Sequence, residues 1–289
     1  MDWTETLANL IHRTTSDLPA DVETVLQTAI AAEPAQSQAS VLLQALSANT
    51  VLARRQETPL CQDTGTLTFF WRVPRGADTH ALEASAREAV ALATQKGWLR
   101  RNTIETLSGR SVDTNVTDGS PVCHFEQEAT EAVEVWLLQK GGGSENMSGQ
   151  FSLPDAALGA GRDLDGVRKC ILQVVWRAQG FGCAPGILGV CVGADRAEGF
   201  LTAKRQLLRP LADAAAEPAL AELERRVLAE ANSLGIGPMG MGGKTTLLGV
   251  KIAARPRLPA SYFVTVAYMC WACRRRGVRV TDGHIEWLG

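Results

Sequence analysis

Three cysteines constrain this chain most, because each sits where the backbone has to turn and they are widely separated in sequence. Cys61 opens Cys61-Gln62-Asp63-Thr64-Gly65, Cys183 lies in Gly180-Phe181-Gly182-Cys183-Ala184-Pro185-Gly186, and Cys270 lies in Tyr268-Met269-Cys270-Trp271-Ala272-Cys273. Gly and Pro punctuate loops, so these thiols belong to loops rather than to the interior of helices. Three thiolates from three distant loops suit an iron–sulfur cluster with one iron left open. Asp63, two residues after the first of them, is a candidate proton base at the same place.

The other cysteines read differently. The total of seven is odd and the spacing unpatterned, which argues against a disulfide framework and for a reducing compartment. Cys123, Cys170 and Cys191 stand in apolar or strand-like contexts and read as small buried residues. Cys273 makes a Cys-X-X-Cys pair with Cys270, but no second pair and no His-X-X-X-His partner exists to complete a zinc site. The balance of 29 Lys+Arg against 31 Asp+Glu gives a formal net charge of -2, which argues against a nucleic-acid or anionic-membrane surface. The Arg274-Arg275-Arg276 run reads as a solvated face or a helix C-terminus. No apolar run reaches the ~18 residues that span a bilayer. The acidic, amphipathic start Met1-Asp2-Trp3-Thr4-Glu5 is unlike a signal peptide, so a cytoplasmic protein is expected.

Periodicity supplies the architecture. Apolar residues recur at helical spacing through Leu7, Leu10 and Ile11, then Val22, Val25 and Leu26, then Leu42, Leu43 and Leu46, with Asp21 and Ser37 as N-caps. Strands are expected at 67–73, 133–139, 187–192, 247–252 and 262–267, and helices at 80–96, 167–177, 195–208 and 217–233. Residues 101–120 are polar and irregular, the composition of a loop that carries function. With no repeat, low-complexity tract or linker, the expected fold is a single mixed α/β domain over 1–289, a small central sheet surrounded by helices with a helical N-terminal region.

A glycine-rich stretch imitates two nucleotide motifs. Gly235, Gly237 and Gly240 match G-x-G-x-x-G, yet a helix precedes and a strand follows, the reverse of a dinucleotide site. Gly243-Lys244-Thr245 resembles the end of a P-loop, but Pro238 occupies the first glycine position and has no N–H to give a phosphate. What remains is a loop whose backbone can approach a small anion or a cluster closely.

Taken together, the chain resembles the α-type catalytic domain of class I fumarases and L-tartrate dehydratases, the iron–sulfur hydro-lyases, over nearly its full length. The anchors are Cys61-Gln62-Asp63-Thr64-Gly65, Leu99-Arg100, Lys140-Gly141-Gly142-Gly143-Ser144-Glu145-Asn146-Met147-Ser148, Cys183 before Pro185, Gly235-Ile236-Gly237-Pro238 and Cys270-Trp271-Ala272. The resemblance implies a [4Fe-4S] cluster held by Cys61, Cys183 and Cys270, whose fourth iron binds substrate as a Lewis acid. It also implies reversible addition or elimination of water on a small hydroxy-dicarboxylate. Asp63 would be the catalytic base. Gln62, Arg100 and Asn115 would bind substrate, with Gly142 and Gly143 turning backbone N–H groups toward it. A cluster-binding paralogue without hydratase activity, in a regulatory or scaffold role, is the alternative.

The departures from the pattern concern specificity. Ser111-Val112-Asp113 precedes Asn115 where relatives carry Asn-Thr-Gly, Leu258 stands where they place a histidine, and Ala184 follows Cys183 in place of Pro. A specialised dicarboxylate is therefore expected. The β-type swivel domain of single-chain class I fumarases is absent from 1–289, so a separate β-type subunit is expected, in an α2β2 assembly.

Overall fold

The computed structural model describes residues 3–289. They divide into two compact units, neither continuous in sequence: the chain up to Ala20, Ala48–Gly142 and Ala272–Gly289 form the first, Asp21–Ser47 and Gly143–Trp271 the second. In chain order the elements are α1 (Trp3–Ser16), α2 (Ala20–Ala32), α3 (Gln38–Gln56), β1 (Thr66–Pro74), α4 (Thr79–Gln95), β2 (Val122–Glu128), β3 (Val133–Lys140), α5 (Gly142–Asn146), β4 (Gly149–Ser152), α6 (Leu164–Ala178), β5 (Gly186–Gly193), α7 (Arg196–Gln206), α8 (Pro218–Ser233), β6 (Leu247–Arg255), β7 (Phe263–Met269), β8 (Arg274–Thr281) and β9 (His284–Leu288). The mixed α/β architecture and the helical N-terminal region are as expected. The expected single central sheet is instead two, one in each unit.

In the first unit the sheet runs β2-β1-β3-β8-β9, with β1 and β2 parallel and the other pairs antiparallel. A parallel pair needs a crossover, and α4 lies on it between β1 and β2. Asp78 caps α4 by accepting from the Ala81 N–H at 3.0 Å. Below the cap, Leu82, Ala86, Ala89, Val90 and Ala93 form one apolar stripe, buried with Leu7, Leu10 and Ile11 of α1 and with Phe69, Trp71, Val135, Leu137 and Val278 of the sheet. Each large side chain so buried contributes about 1.5–3 kcal/mol. The small alanines let helix and neighbour approach closely.

The second unit has the sheet β4-β7-β5-β6, in which β5 and β6 are parallel and the other pairs antiparallel. Every residue of β5 is buried, which is why its sequence is an unbroken apolar run rather than an alternation. Asp163 caps α6, accepting from Gly166 N–H at 2.7 Å, and Asp195 caps α7 through Ala197 and Glu198 N–H at 2.8 and 2.9 Å. Ser37 accepts from Ser40 N–H at 3.1 Å at the start of α3, as its sequence context suggested, whereas Asp21 lies inside α2 and accepts from Leu211 N–H at 2.8 Å.

One expectation is overturned outright. The Arg274-Arg275-Arg276 run is neither a solvated face nor a helix end: it begins β8, and Arg274 and Arg275 are 1% and 3% exposed. Among the described residues, no helix is long and apolar enough to cross a membrane.

Candidate active site

The Cys61–Gly65 segment enters β1 through a turn pressed against the backbone after β3. Gly65 has φ +78, and a Cβ there would come 2.7 Å from the Lys140 carbonyl carbon, so both conformation and space demand glycine. A Cβ on Gly141 would lie 2.9 Å from Asp63 Oδ2. The space so preserved lets the Asp63 carboxylate bridge two segments: Oδ1 accepts from Gly65 N–H at 3.0 Å and Oδ2 from Gly142 N–H at 2.7 Å.

Beside this bridge, Gln62, Asp63, Arg100 and Asn102 line an open cavity of about 300 Å³. Three of the four were expected at the substrate. Arg100 Nη1 donates to the Gln62 carbonyl at 3.3 Å. Its neighbour Arg101 turns elsewhere and pairs with Asp113 at 3.0 Å, so Arg100 is the arginine of this cavity. Asn102 was not singled out in the sequence; its only signal was membership of the polar 101–120 loop. It donates through Nδ2 to Thr64 Oγ1 at 3.0 Å.

Asn115 stands behind the cavity rather than in its wall. It is 3% exposed with φ +60, and its side chain accepts from Asn102 and Thr103 N–H at 2.9 and 3.0 Å while donating to the Arg100 carbonyl at 2.7 Å and Thr94 Oγ1 at 3.0 Å. With both amide hydrogens and the oxygen committed, it pins the backbone on both sides of Arg101. Gly142 likewise gives its N–H to Asp63.

The thiols divide by environment. The seven cysteines form no disulfide. Burial pushes the Cys123 and Cys170 thiols up to about 12 and Cys191 up to about 11, and Cys273 is fully buried. Cys61 and Cys270 are half-buried, and Cys183 is exposed at φ +54 on a turn closed by its own N–H to the Gly180 carbonyl at 3.0 Å. In the second unit, Trp271 N–H donates to the Cys183 carbonyl at 3.2 Å, tying the Cys270 loop to the Cys183 loop. Between them the Tyr268 ring packs where a Cβ on Gly182 or Gly186 would collide with it. Burial above all, then the charges of Cys270 and Cys183, raises the Tyr268 hydroxyl well above its ordinary range. A Cβ on Gly143 would reach within 4.0 Å of the Phe181 carbonyl, so that glycine lies by the same turn. Cys61 belongs to the first unit. Among the described residues, no group of three His, Cys, Asp or Glu side chains is gathered tightly enough for a single metal ion. A cluster asks for something else, since each thiolate meets a different iron.

The glycine loop that imitates nucleotide motifs is filled from within. Glu33 Oε1 accepts from Lys244 and Thr245 N–H at 2.6 and 3.0 Å, so the amides that a P-loop would turn to phosphate already hold a carboxylate. Gly180 is pressed on Met239 and Gly240, and Met239 N–H donates to the Ala184 carbonyl at 3.0 Å, so this loop buttresses the Cys183 turn. Leu258 is 74% exposed in the turn before β7.

Arg274 is the least expected component. Its Nη2 donates to the Asp63 carbonyl at 2.8 Å, while Nε and Nη1 are buried without a hydrogen-bond partner among the described residues. Its carbonyl and amide belong to the ladder opposite Gln139.

Comparison with known proteins bears on this arrangement. The family model described as fumarate hydratase (Fumerase) matches residues 4–279. A Geobacillus stearothermophilus protein provisionally named fumarate hydratase class I is 44% identical over 290 residues, covering 98% of this chain; the chain spans only 56% of that protein's length. A Methanocaldococcus jannaschii protein provisionally named L(+)-tartrate dehydratase subunit alpha is 30% identical over 97% of this chain and 98% of its own length. The L(+)-tartrate dehydratase subunit alpha of Escherichia coli (strain K12) is 28% identical over 94% of this chain and 88% of its own.

Proposed function

Since the chain belongs to the fumarate hydratase (Fumerase) family, we propose that it is the α-type catalytic subunit of an iron–sulfur hydro-lyase acting reversibly on a hydroxy-dicarboxylate. The observation that carries this reading is the cavity in which Gln62, Asp63 and Arg100 meet immediately after Cys61. Cys61, Cys183 and Cys270 would hold a [4Fe-4S] cluster. The donor set fits, because these thiols sit half-buried or exposed in turns while the buried Cys170, Cys191 and Cys273 and the high-lying Cys123 thiol do not offer themselves. When bound, the cluster supplies an open iron that acts as a Lewis acid on the hydroxyl leaving as water.

The protein's own groups do the rest. Arg100 presents a planar fork to a substrate carboxylate, and the Gln62 amide adds a neutral donor beside it. Asn115 holds the Arg100 carbonyl, which fixes where that fork emerges. Asp63 removes the proton from the carbon next to the departing hydroxyl. Each of its oxygens accepts one backbone N–H and keeps a further lone pair for that proton. Gly142 steadies the carboxylate, and Gly143 turns backbone toward the Cys183 loop.

A β-type partner subunit, in an α2β2 assembly, completes this reading; it is supported by relatives named as alpha subunits whose length this chain matches. The odd number of cysteines supports a reducing, cytoplasmic setting. The departures Leu258 and Ser111-Val112-Asp113 favour a dicarboxylate with a larger or more apolar substituent over fumarate or L-tartrate. The test is the anaerobically reconstituted chain with its β-type partner on a dicarboxylate panel. Arg100→Lys keeps the charge but loses the fork, so kcat/KM should drop about tenfold or more, mainly through KM. Leu258→His should move preference toward fumarate. An iron-loaded pair that hydrates or dehydrates no dicarboxylate refutes the proposal.

A further inference from the structure

Arg274 is among the largest fully buried side chains described, yet among the described residues only one of its guanidinium nitrogens has a hydrogen-bond partner. A buried, permanently charged group with two idle donors is costly, and native interiors rarely leave such donors unanswered. The one bond it makes places it: Nη2 is 2.8 Å from the carbonyl of Asp63, two residues along from Cys61 in the same loop. Chain order places it again, since it opens β8 four residues after Cys270. The cation is therefore held against the segment that carries a proposed thiolate ligand, with Nε and Nη1 in reserve.

We propose that Arg274 is a positioning residue for the iron–sulfur cluster, its idle N–H groups donating to the anionic sulfur on the Cys61 side. The inference rests on the cluster reading above. A guanidinium suits the task because it stays charged, is weakly hydrated and presents several donors in one plane. Hydrogen bonds to cluster sulfur favour the more negative, reduced state and help retain metal. The same geometry explains why a triple-arginine run is folded inward: its first member answers a charge that the polypeptide alone does not supply.

The test compares wild type, Arg274→Met and Arg274→Lys as the full chain, iron-free and after anaerobic reconstitution with iron and sulfide. Iron-free Arg274→Met should melt no lower than iron-free wild type, because the substitution removes an unanswered buried charge. Once loaded, it should gain less stability than wild type does, lose iron to a chelator about tenfold faster, and show a lower cluster reduction potential. Arg274→Lys, with the charge but not the fork, should fall between them. Equal iron retention and equal potential in wild type and Arg274→Met overturn the proposal. So does a large drop in melting temperature confined to the iron-free variant, which would make Arg274 a strut for the Asp63 carbonyl. If Arg274→Met does not fold, Arg274→Lys decides: faster iron loss than wild type supports the proposal and unchanged loss refutes it. Failure of wild type to take up iron would instead refute the cluster reading, before any variant is compared.

Discussion

Asp63→Asn separates a clamp from a base, and the outcome follows from the two oxygens of the carboxylate. Both accept backbone N–H groups, from Gly65 at 3.0 Å and Gly142 at 2.7 Å. An asparagine offers one acceptor oxygen and one donor NH2, so one backbone N–H must face another donor. Losing a hydrogen bond to a charged group costs about 1.5–3 kcal/mol, and the exposure of Gly142 puts this case near 1.5 kcal/mol. At about 2–4 °C per kcal/mol, iron-free Asp63→Asn should melt roughly 3–6 °C below wild type. The assay is thermal unfolding followed by circular dichroism without iron, so turnover plays no part. Gly141→Ala gives an independent check, because its methyl would sit 2.9 Å from Asp63 Oδ2 and push the carboxylate off Gly142. Both substitutions break one interaction, so the double variant should melt well above the additive expectation. An Asp63→Asn protein that melts with wild type refutes the clamp, and any loss of turnover in it would then belong to chemistry alone.

Three further outcomes are expected. Cys61→Ser, Cys183→Ser and Cys270→Ser should each abolish iron uptake measured after anaerobic reconstitution, while the same change at Cys123, Cys170 or Cys191 should leave iron content near wild type; the reverse pattern would dismiss the ligand set. Since burial raises Cys123, Cys170 and Cys191 from 9.0 to about 12, 12 and 11, these thiols keep their protons in the folded state, so their contribution to stability is whole below pH 9 and is lost as pH rises toward 11–12. Alkylation of the native protein at pH 8 should accordingly label Cys183 and spare those three, and equal labelling would contradict it. Gly243→Ala should destabilise the protein by about 2 kcal/mol or more, read by urea unfolding, because φ there is +121 and the new methyl would come 2.6 Å from Ala39 Cβ; an unchanged midpoint would show that the loop can yield.

Elements with a clean period were legible in sequence, and those with a divided allegiance were not. The stripe Leu82, Ala86, Ala89 and Ala93 marks α4, and the unbroken apolar run of β5 marks a buried strand, because each pattern reports one local environment. By contrast β2 is a half-exposed strand of mixed residues, Val122–Glu128, with no alternation to detect. The arginine run of β8 misleads because its burial depends on partners distant in sequence: Arg274 on the Asp63 carbonyl and Arg276 on Asp17 at 3.0 Å. The two-unit division is invisible for a related reason, since Asp21–Ser47 belongs with Gly143–Trp271 across more than one intervening element. That Gln62 and Asp63 share one cavity was readable because they are neighbours in sequence. The role of Asn115 was not: an amide reads the same whether it faces a ligand or, as here, three residues of its own loop and Thr94 of α4.

The order of strands in the first sheet has a consequence for how the chain is made. β3 pairs with β1 on one side and β8 on the other, but residues 141–273 separate β3 from β8. On a translating ribosome, β1, β2 and β3 emerge together, and the outer edge of β3, with the backbone of Val133 to Gln139 destined for β8, then waits while the whole of Gly143–Trp271 is synthesised. A strand edge with unpaired N–H and C=O groups is a template for joining another chain. The last strands therefore act as a closing seam, and a nascent chain released before residue 274 would carry an open rim into a crowded cell.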